Sequence, residues 1–270
     1  FAHAMYPFWI RRGGPGHRLE GARWLERAVE RSADLSLRAR GWFMAGQLLR
    51  GLDPAATRAA SERCLEEARA SGNLRRIVGG LIAIATCDMD DGLDPETTLE
   101  EAVETARRAE VQPVLAFALN VSGEAARLAG RMERAGELYA EALAYERELG
   151  DELQQAVLLG NLAHVALARG RPGVARKLWW DTLRLALRVE TPDYVAGALE
   201  GLAAVAVGDD PRRAARLYGA ARRIREASSL TTGRGRARAP PPPRTTGVVG
   251  STQAAGRGGW LRAPPRPQHT

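Results

Sequence analysis

The chain has 270 residues, of which 45% are hydrophobic and 26% charged, and its abundant Ala, Leu, Arg and Glu are typical of an all-α protein. No apolar run approaches the roughly 20 residues that a transmembrane helix needs. The net charge is +7, but residues 228–270 hold seven arginines and no acidic residue, so residues 1–227 balance 32 basic against 32 acidic side chains. A neutral body argues against a nucleic-acid interface spread over the whole chain.

Breaks in the apolar periodicity divide residues 1–227 into six pairs of predicted helices. In chain order the pairs are 2–12 with 18–32, 36–50 with 54–71, 74–88 with 95–110, 113–129 with 132–149, 152–169 with 172–189, and 193–207 with 211–227. Because the connections are only a few residues long, neighbouring helices are expected to run antiparallel.

Residues that favour helix ends recur at the predicted boundaries. An Asp that can accept a free backbone N–H is followed by a proline at three predicted starts, Asp53-Pro54, Asp94-Pro95 and Asp210-Pro211. Five glycines lie where a left-handed backbone often ends a helix: Gly13, Gly51, Gly92, Gly130 and Gly170.

One pattern of small and aromatic residues returns at intervals of 40 and 39 residues in the last three pairs. It reads Ala135/Leu138/Tyr139, then Ala175/Leu178/Trp179, then Ala214/Leu217/Tyr218. A single helix pair cannot bury its apolar stripe, so each pair must pack on the next. We expect the alanines, with Gly123 and Ala163 on the preceding helices, to allow close approach and the aromatic rings to fill the remaining space. The sequence therefore predicts an all-α, right-handed α-solenoid of about six antiparallel helix pairs.

The composition changes abruptly at residue 228. Residues 228–270 are rich in Pro, Gly and Arg without apolar periodicity, which predicts a disordered tail with Pro240–Pro243 in a polyproline II conformation. A frameshifted or truncated reading frame is an alternative origin for this segment. Since the chain begins with Phe1 rather than Met, we expect it to be a fragment of a longer protein.

The repeated pattern resembles tetratricopeptide (TPR) repeats, although its spacing exceeds the usual 34 residues. HEAT-type arrays share the longer spacing but lack this placement of alanine and aromatic residues. The segments FWIRRG…LEGARWLERAVE (Phe8–Glu30) and ALEGLAAVAVGDDPRRAARLYGAARRIREA (Ala198–Ala227) resemble the TPR-like sensor region of bacterial transcription regulators of the LuxR/MalT and AfsR type. That resemblance implies a cytoplasmic array that binds a protein, a peptide or a small effector in its concave groove, with ATPase and DNA-binding domains elsewhere in the parent protein. The sequence contains no GxxxxGK[ST] phosphate loop, and no helix-turn-helix stands out from the repeats.

Residues with catalytic or metal-binding chemistry are sparse. Cys64 and Cys87 lack a metal or redox spacing, so we expect buried free thiols, with a disulfide as the alternative. The histidines are scattered (His3, His17, His164 and His269), and the acidic cluster of Asp88, Asp90, Asp91 and Asp94 lacks the Gly and Glu of a calcium loop. We therefore expect no metal site, no cofactor and no enzymatic activity.

Polar residues on the first helix of each pair are the candidate binding residues, because that helix lines the concave side of such arrays. By repeat position these are Asn120, Glu124, Arg127, Asn161, His164 and Glu200. The alternative is that they are simply hydrated residues on an exposed helix face. Trp42 and the Trp179-Trp180 pair could contact a partner, or pack in the core.

The leading functional hypothesis is a non-catalytic scaffold that forms the sensor region of a transcription regulator. A free-standing TPR adaptor is the first alternative. Weak, sequence-independent nucleic-acid binding through the arginine-rich tail is the second, and a helical enzyme with a site in the groove is the third. Protein or peptide partners are expected for the array, and neither a membrane nor a nucleic acid is expected for residues 1–227.

Overall fold

The computed structural model describes residues 5–6, 8–9 and 14–231, and these ranges contain helices and no strand. Residues 14–231 form eleven helices. These are α1 (Pro15–Glu30), α2 (Leu35–Leu49), α3 (Pro54–Ser71), α4 (Leu74–Asp90), α5 (Glu96–Arg108), α6 (Gln112–Leu128), α7 (Met132–Leu149), α8 (Glu152–Ala168), α9 (Pro172–Arg188), α10 (Pro192–Ala206) and α11 (Pro211–Thr231).

The predicted pairs are confirmed from α1 onward, with helix ends that differ from the prediction by three residues or fewer except at the end of α11. Of the predicted helix 2–12, residues 5–6 and 8–9 are described and helical. Trp9 packs against α1 so closely that a Cβ on Gly21 would lie 2.5 Å from its ring. Residues 228–231, predicted to begin the disordered tail, instead continue α11, and the rest of the predicted tail lies outside the described residues.

The predicted capping residues lie at several of these boundaries. The Asp53 carboxylate accepts a hydrogen bond from the Ala56 N–H at 2.9 Å, and the Asp210 carboxylate accepts one from the Arg213 N–H at 2.9 Å. At the remaining predicted start, the Asp94 carboxylate accepts a hydrogen bond from the Glu96 N–H at 3.1 Å, and α5 begins one residue later than predicted. Four of the five predicted glycines have positive φ, and the fifth, Gly13, lies outside the described residues.

The helices form two layers. The first helices of successive pairs, α2, α4, α6, α8 and α10, contact one another and make an inner layer. Within residues 14–231 the second helices, α3, α5, α7, α9 and α11, make no backbone contact with one another and form an outer layer. An array whose inner layer is the more closely spaced curves toward that layer, so the inner helices line the concave side of an α-solenoid.

Two aromatic side chains of the repeat pattern fill the spaces between the layers. Tyr139 on α7 and Trp179 on α9 are 0% and 1% exposed. A Cβ on Gly123 of α6 would lie 2.7 Å from the Tyr139 ring, and one on Gly201 of α10 would lie 2.1 Å from the Trp179 ring. The repeat alanines Ala135, Ala175 and Ala214, together with Ala163, are buried. Only small residues therefore permit these contacts between helices.

The third aromatic residue of the pattern does not fill such a space, and here the sequence prediction is wrong. Tyr218 on α11 is 40% exposed because no further helix follows α11 within the described residues. Four residues after Trp179 stands the buried Leu183, whereas four residues after Tyr218 stands the exposed Arg222, which pairs with Glu226 at 2.8 Å. The outer face of α11 is therefore polar at the position where α9 carries the buried Leu183.

Candidate functional site

The six candidate binding residues lie on three successive helices of the inner layer. Helix α6 carries Asn120, Glu124 and Arg127, helix α8 carries Asn161 and His164, and helix α10 carries Glu200. We call these six residues the inner polar row. The Asn161 Nδ2 donates a hydrogen bond to the Asn120 Oδ1 at 3.1 Å, so the amides of α6 and α8 meet directly.

Glu124 is held from two sides. The Arg127 guanidinium donates to both carboxylate oxygens of Glu124, with Nη2–Oε1 at 2.7 Å and Nε–Oε2 at 3.2 Å. The buried Tyr139 hydroxyl donates to Glu124 Oε2 at 2.9 Å. Burial raises the pKa of Tyr139 well above its ordinary value, and the Glu124 charge adds to this effect. Tyr139 therefore stays neutral and remains a hydrogen-bond donor to the ion pair.

His164 lies among the charges of the neighbouring helices. Its Nε2 is buried without a hydrogen-bond partner in the described part of the chain. The ring packs edge-on against Trp179, with centroids 4.7 Å apart and planes at 88°. Burial lowers the pKa of His164 to about 4, with a further decrease from the Arg127 charge, while Glu124 and Glu200 act in the opposite direction. The imidazole is therefore neutral near pH 7.

Glu200 joins α10 to the terminal helix. Arg225 on α11 donates Nε and Nη2 to the two Glu200 oxygens, each at 2.8 Å, which is the bidentate geometry of a strong ion pair. The inner polar row thus supplies amide, carboxylate, guanidinium and imidazole groups, but no nucleophile beside a general base. Such groups can bind a partner by hydrogen bonds and charge.

The tryptophans divide between core and surface. Trp42 and Trp179 are 6% and 1% exposed, so they belong to the core, as the second of the two interpretations proposed. Trp180 is 43% exposed on α9 and is the one of the three that a partner can reach. Adjacent positions on a helix point to different faces, which explains the split between Trp179 and Trp180.

The cysteines form the predicted free thiols. Cys64 and Cys87 are both buried and unbonded to each other. Burial raises the pKa of Cys64 to about 12, so its reactive thiolate is suppressed at neutral pH.

The acidic cluster at the end of α4 and in the loop that follows is neutralised by arginines of the two neighbouring helix pairs. Arg58 binds Asp88 at 2.9 Å and Asp91 at 2.8 Å. Arg50 binds Asp90 at 2.9 Å, and Arg131 binds Asp94 at 3.1 Å. Among the described residues, no group of three or more His, Cys, Asp or Glu side chains is arranged to hold a metal ion. None of the described helices combines the length and apolarity that crossing a bilayer requires.

Two partners of the inner polar row were not predicted from sequence. The repeat pattern predicts only packing for Tyr139 and gives no role to Arg225. The available signal was the distance along the chain: Glu124 stands 15 residues before Tyr139, as His164 stands 15 residues before Trp179. Each aromatic ring therefore faces the same inner-layer position of its own pair.

The fold is that of TPR-like repeat proteins. Over 86% of this chain it is similar to a Rap protein in complex with Competence and Sporulation Factor, with a TM-score of 0.71 and 16% identity, and the match covers 66% of the Rap chain. A kinesin light chain with TPR-like repeats from Podosopora anserina aligns with 76% of this chain and 100% of its own, with a TM-score of 0.58 and 15% identity. No protein-family model and no curated protein sequence matches this chain.

A multidomain protein also shares the fold. A signal transduction ATPase with a tetratricopeptide repeat sensor from Pyrococcus horikoshii matches 86% of this chain with a TM-score of 0.61 and 16% identity. The chain spans 36% of that protein's length.

Proposed function

We propose that this chain is a non-catalytic scaffold whose concave surface binds an extended segment of a partner protein or a peptide. The observation that carries the proposal is the inner polar row, in which polar groups of three neighbouring inner-layer helices lie close together. Asn120, Glu124 and Arg127 are half-buried, whereas Asn161 is 7% exposed. The Rap protein, which shares the fold, is in complex with Competence and Sporulation Factor in its own structure, and this supports a bound partner here.

We further propose that the scaffold is the sensor region of a cytoplasmic bacterial transcription regulator of the LuxR/MalT and AfsR type. The similarity to an ATPase with a tetratricopeptide repeat sensor supports this assignment. An array in which each pair touches only its neighbours can change curvature when its groove is filled, and could pass that change to an attached ATPase. The competing hypothesis is a free-standing TPR adaptor, and the gene sequence on both sides of this chain distinguishes the two.

The binding hypothesis can be tested with displayed peptides. Short linear peptides are selected on the wild-type chain, and the affinity of the enriched peptides is measured by fluorescence polarisation. We expect the double variant Asn120→Ala/Asn161→Ala to bind about tenfold more weakly, because it removes amides at the centre of the row. It deletes both partners of one hydrogen bond, so neither is left unsatisfied.

The matched control removes a pair of interacting side chains from the exposed face of α11. In Arg222→Ala/Glu226→Ala we expect unchanged peptide affinity, since both residues belong to the outer-layer helix α11 and their side chains are more than half exposed. Circular dichroism verifies that both variants are folded. Equal affinity of wild type and the asparagine variant, or the absence of any enriched peptide, would contradict concave-face binding.

A further inference from the structure

A cavity of about 380 Å³ lies on the opposite side of the array from the inner polar row, between the outer-layer helices α5 and α7. Helix α6 forms its floor. The apolar and small residues that line it are Leu99, Val103, Leu119, Ser122, Ala125, Ala126 and Leu138. We call this cavity the α5–α7 bowl. Its volume is at the lower end of the range for small-molecule sites, where it can enclose one compact ligand.

The bowl is separate from the inner polar row although both use α6. Ser122 and Ala126 of α6 face the bowl, whereas Asn120 and Glu124 belong to the row. Residues two apart on a helix differ by about 200° in direction, so these two sets lie on opposite faces. The bowl therefore needs an explanation of its own.

Ion pairs connect α5 and α7 at both ends of the bowl. Near the start of α7, Arg131 binds Asp94, which precedes α5, at 3.1 Å. Near the end of α5, Arg107 binds Glu141 of α7 at 2.7 Å. A bowl spanned by side chains at both ends suits a compact ligand better than a peptide that runs along the groove.

The charged groups around the bowl are not balanced. Its three arginines have carboxylate partners, since Arg134 pairs with Glu137 at 3.3 Å in addition to the two pairs above. Glu100 and Glu104, which stand one turn apart on the exposed side of α5, have no ion-pair partner within residues 14–231. An apolar cavity beside two unpaired carboxylates complements an apolar group that carries a positive charge.

We propose that the α5–α7 bowl is a binding site for a compact apolar cation, such as an aromatic amidinium. The apolar part of the ligand packs against Val103 and Leu138, and the cationic head lies beside Glu100 and Glu104. This site is independent of peptide binding on the concave surface.

The test uses three probes that share one ring and differ in charge: benzamidine, benzamide and benzoate. Each is titrated at millimolar concentration into the full chain, and binding is followed through the methyl NMR signals of Val103 and Leu138. We expect benzamidine to bind most tightly and benzoate most weakly. Glu100→Gln/Glu104→Gln should weaken benzamidine binding by about fivefold, because it removes two exposed charges that each contribute modestly.

The control is Glu62→Gln/Glu66→Gln, which changes a pair with the same spacing on the exposed side of another outer-layer helix, α3. We expect this variant to bind benzamidine as the wild type does. All four positions are exposed, so both variants should fold. Equal binding of the three probes, an equal loss in the control variant, or unmoved Val103 and Leu138 signals with benzamidine would each overturn the proposal.

Discussion

Tyr139 and Trp179 occupy the same position in two successive helix pairs, α6–α7 and α8–α9. We call each ring, together with the inner-layer helices that it contacts, a unit. The two units share one backbone arrangement but differ in their side chains. At the positions 19 and 15 residues before and 22 residues after the aromatic ring, the Tyr139 unit has Asn120, Glu124 and Asn161. At the corresponding positions the Trp179 unit has Gly160, His164 and Gly201. The first unit is polar at these positions, and the second has no side chain at two of them.

The size of the aromatic side chain accounts for this difference. An indole is larger than a phenol, and in the Trp179 unit a Cβ on Gly160 or Gly201 would lie 3.3 or 2.1 Å from the ring. The smaller Tyr139 ring lies close to Gly123, where an added Cβ would be 2.7 Å from the ring. The Tyr139 hydroxyl donates a hydrogen bond to Glu124 at 2.9 Å. The Trp179 Nε1–H is buried without a partner in the described residues. One helix arrangement can therefore hold either a smaller ring with hydrogen-bonded polar neighbours or a larger ring packed against glycines.

The largest expected effect is the difference in stability loss between a variant of the buried Trp179 and one of the exposed Tyr218. Trp179→Ala should destabilise the chain by about 3–5 kcal/mol, because it leaves a large cavity between α8, α9 and α10. Tyr218→Ala should cost less than about 1 kcal/mol, since that ring is 40% exposed. Urea unfolding followed by circular dichroism measures both values. Similar losses for the two variants would show that Tyr218 is packed as tightly as Trp179 and would contradict its exposure on α11.

An intermediate effect, with opposite signs on one helix, is expected for two glycines of α10. Gly201→Ala should destabilise by about 2–3 kcal/mol, because its Cβ would overlap the rigid Trp179 ring. Gly197→Ala should stabilise by about 0.5–1 kcal/mol, since no atom lies within 4 Å of the added Cβ and alanine favours the helix. The same unfolding experiment gives both values. A shift in the same direction for both variants would contradict the close contact at Gly201.

The last expected effect is a pH dependence of the unfolding free energy that comes from His164. The corresponding position in the Tyr139 unit is occupied by Glu124. The pKa of His164 is about 4 in the folded chain, below the ordinary value of 6.5. As the pH falls from about 6.5 to 4, the unfolded chain takes up a proton that the folded chain does not. The wild type should therefore lose about 2.5 kcal/mol of unfolding free energy through this residue over that range, and the loss should be absent above about pH 7.5.

Unfolding of the wild type and His164→Phe at several pH values measures this contribution, since phenylalanine keeps a ring beside Trp179 but cannot titrate. The difference between the two pH profiles should lie between pH 6.5 and 4. Parallel profiles across that range would show that His164 titrates alike in the folded and unfolded chain.

The sequence by itself determined the helices, their pairing and most of their ends. Apolar periodicity, the cap at Asp53 and the left-handed glycines act over a few residues, so they can be identified without knowledge of the neighbouring helices. The repeat pattern also placed Asn120 and Asn161 on the first helices of neighbouring pairs, and the structure brings their side chains to 3.1 Å.

Only the tertiary structure decided how side chains from different pairs meet. Neither the hydrogen bond from Tyr139 to Glu124 nor the ion pair of Arg225 with Glu200 follows from local pattern, because each depends on the distance and rotation between two packed helices. The exposure of Tyr218 depends on whether another helix packs against α11, and the α5–α7 bowl depends on the spacing of two helices whose backbones do not contact each other. Propensity and capping are properties of short segments, whereas burial, clearance and charge pairing belong to the assembled layers.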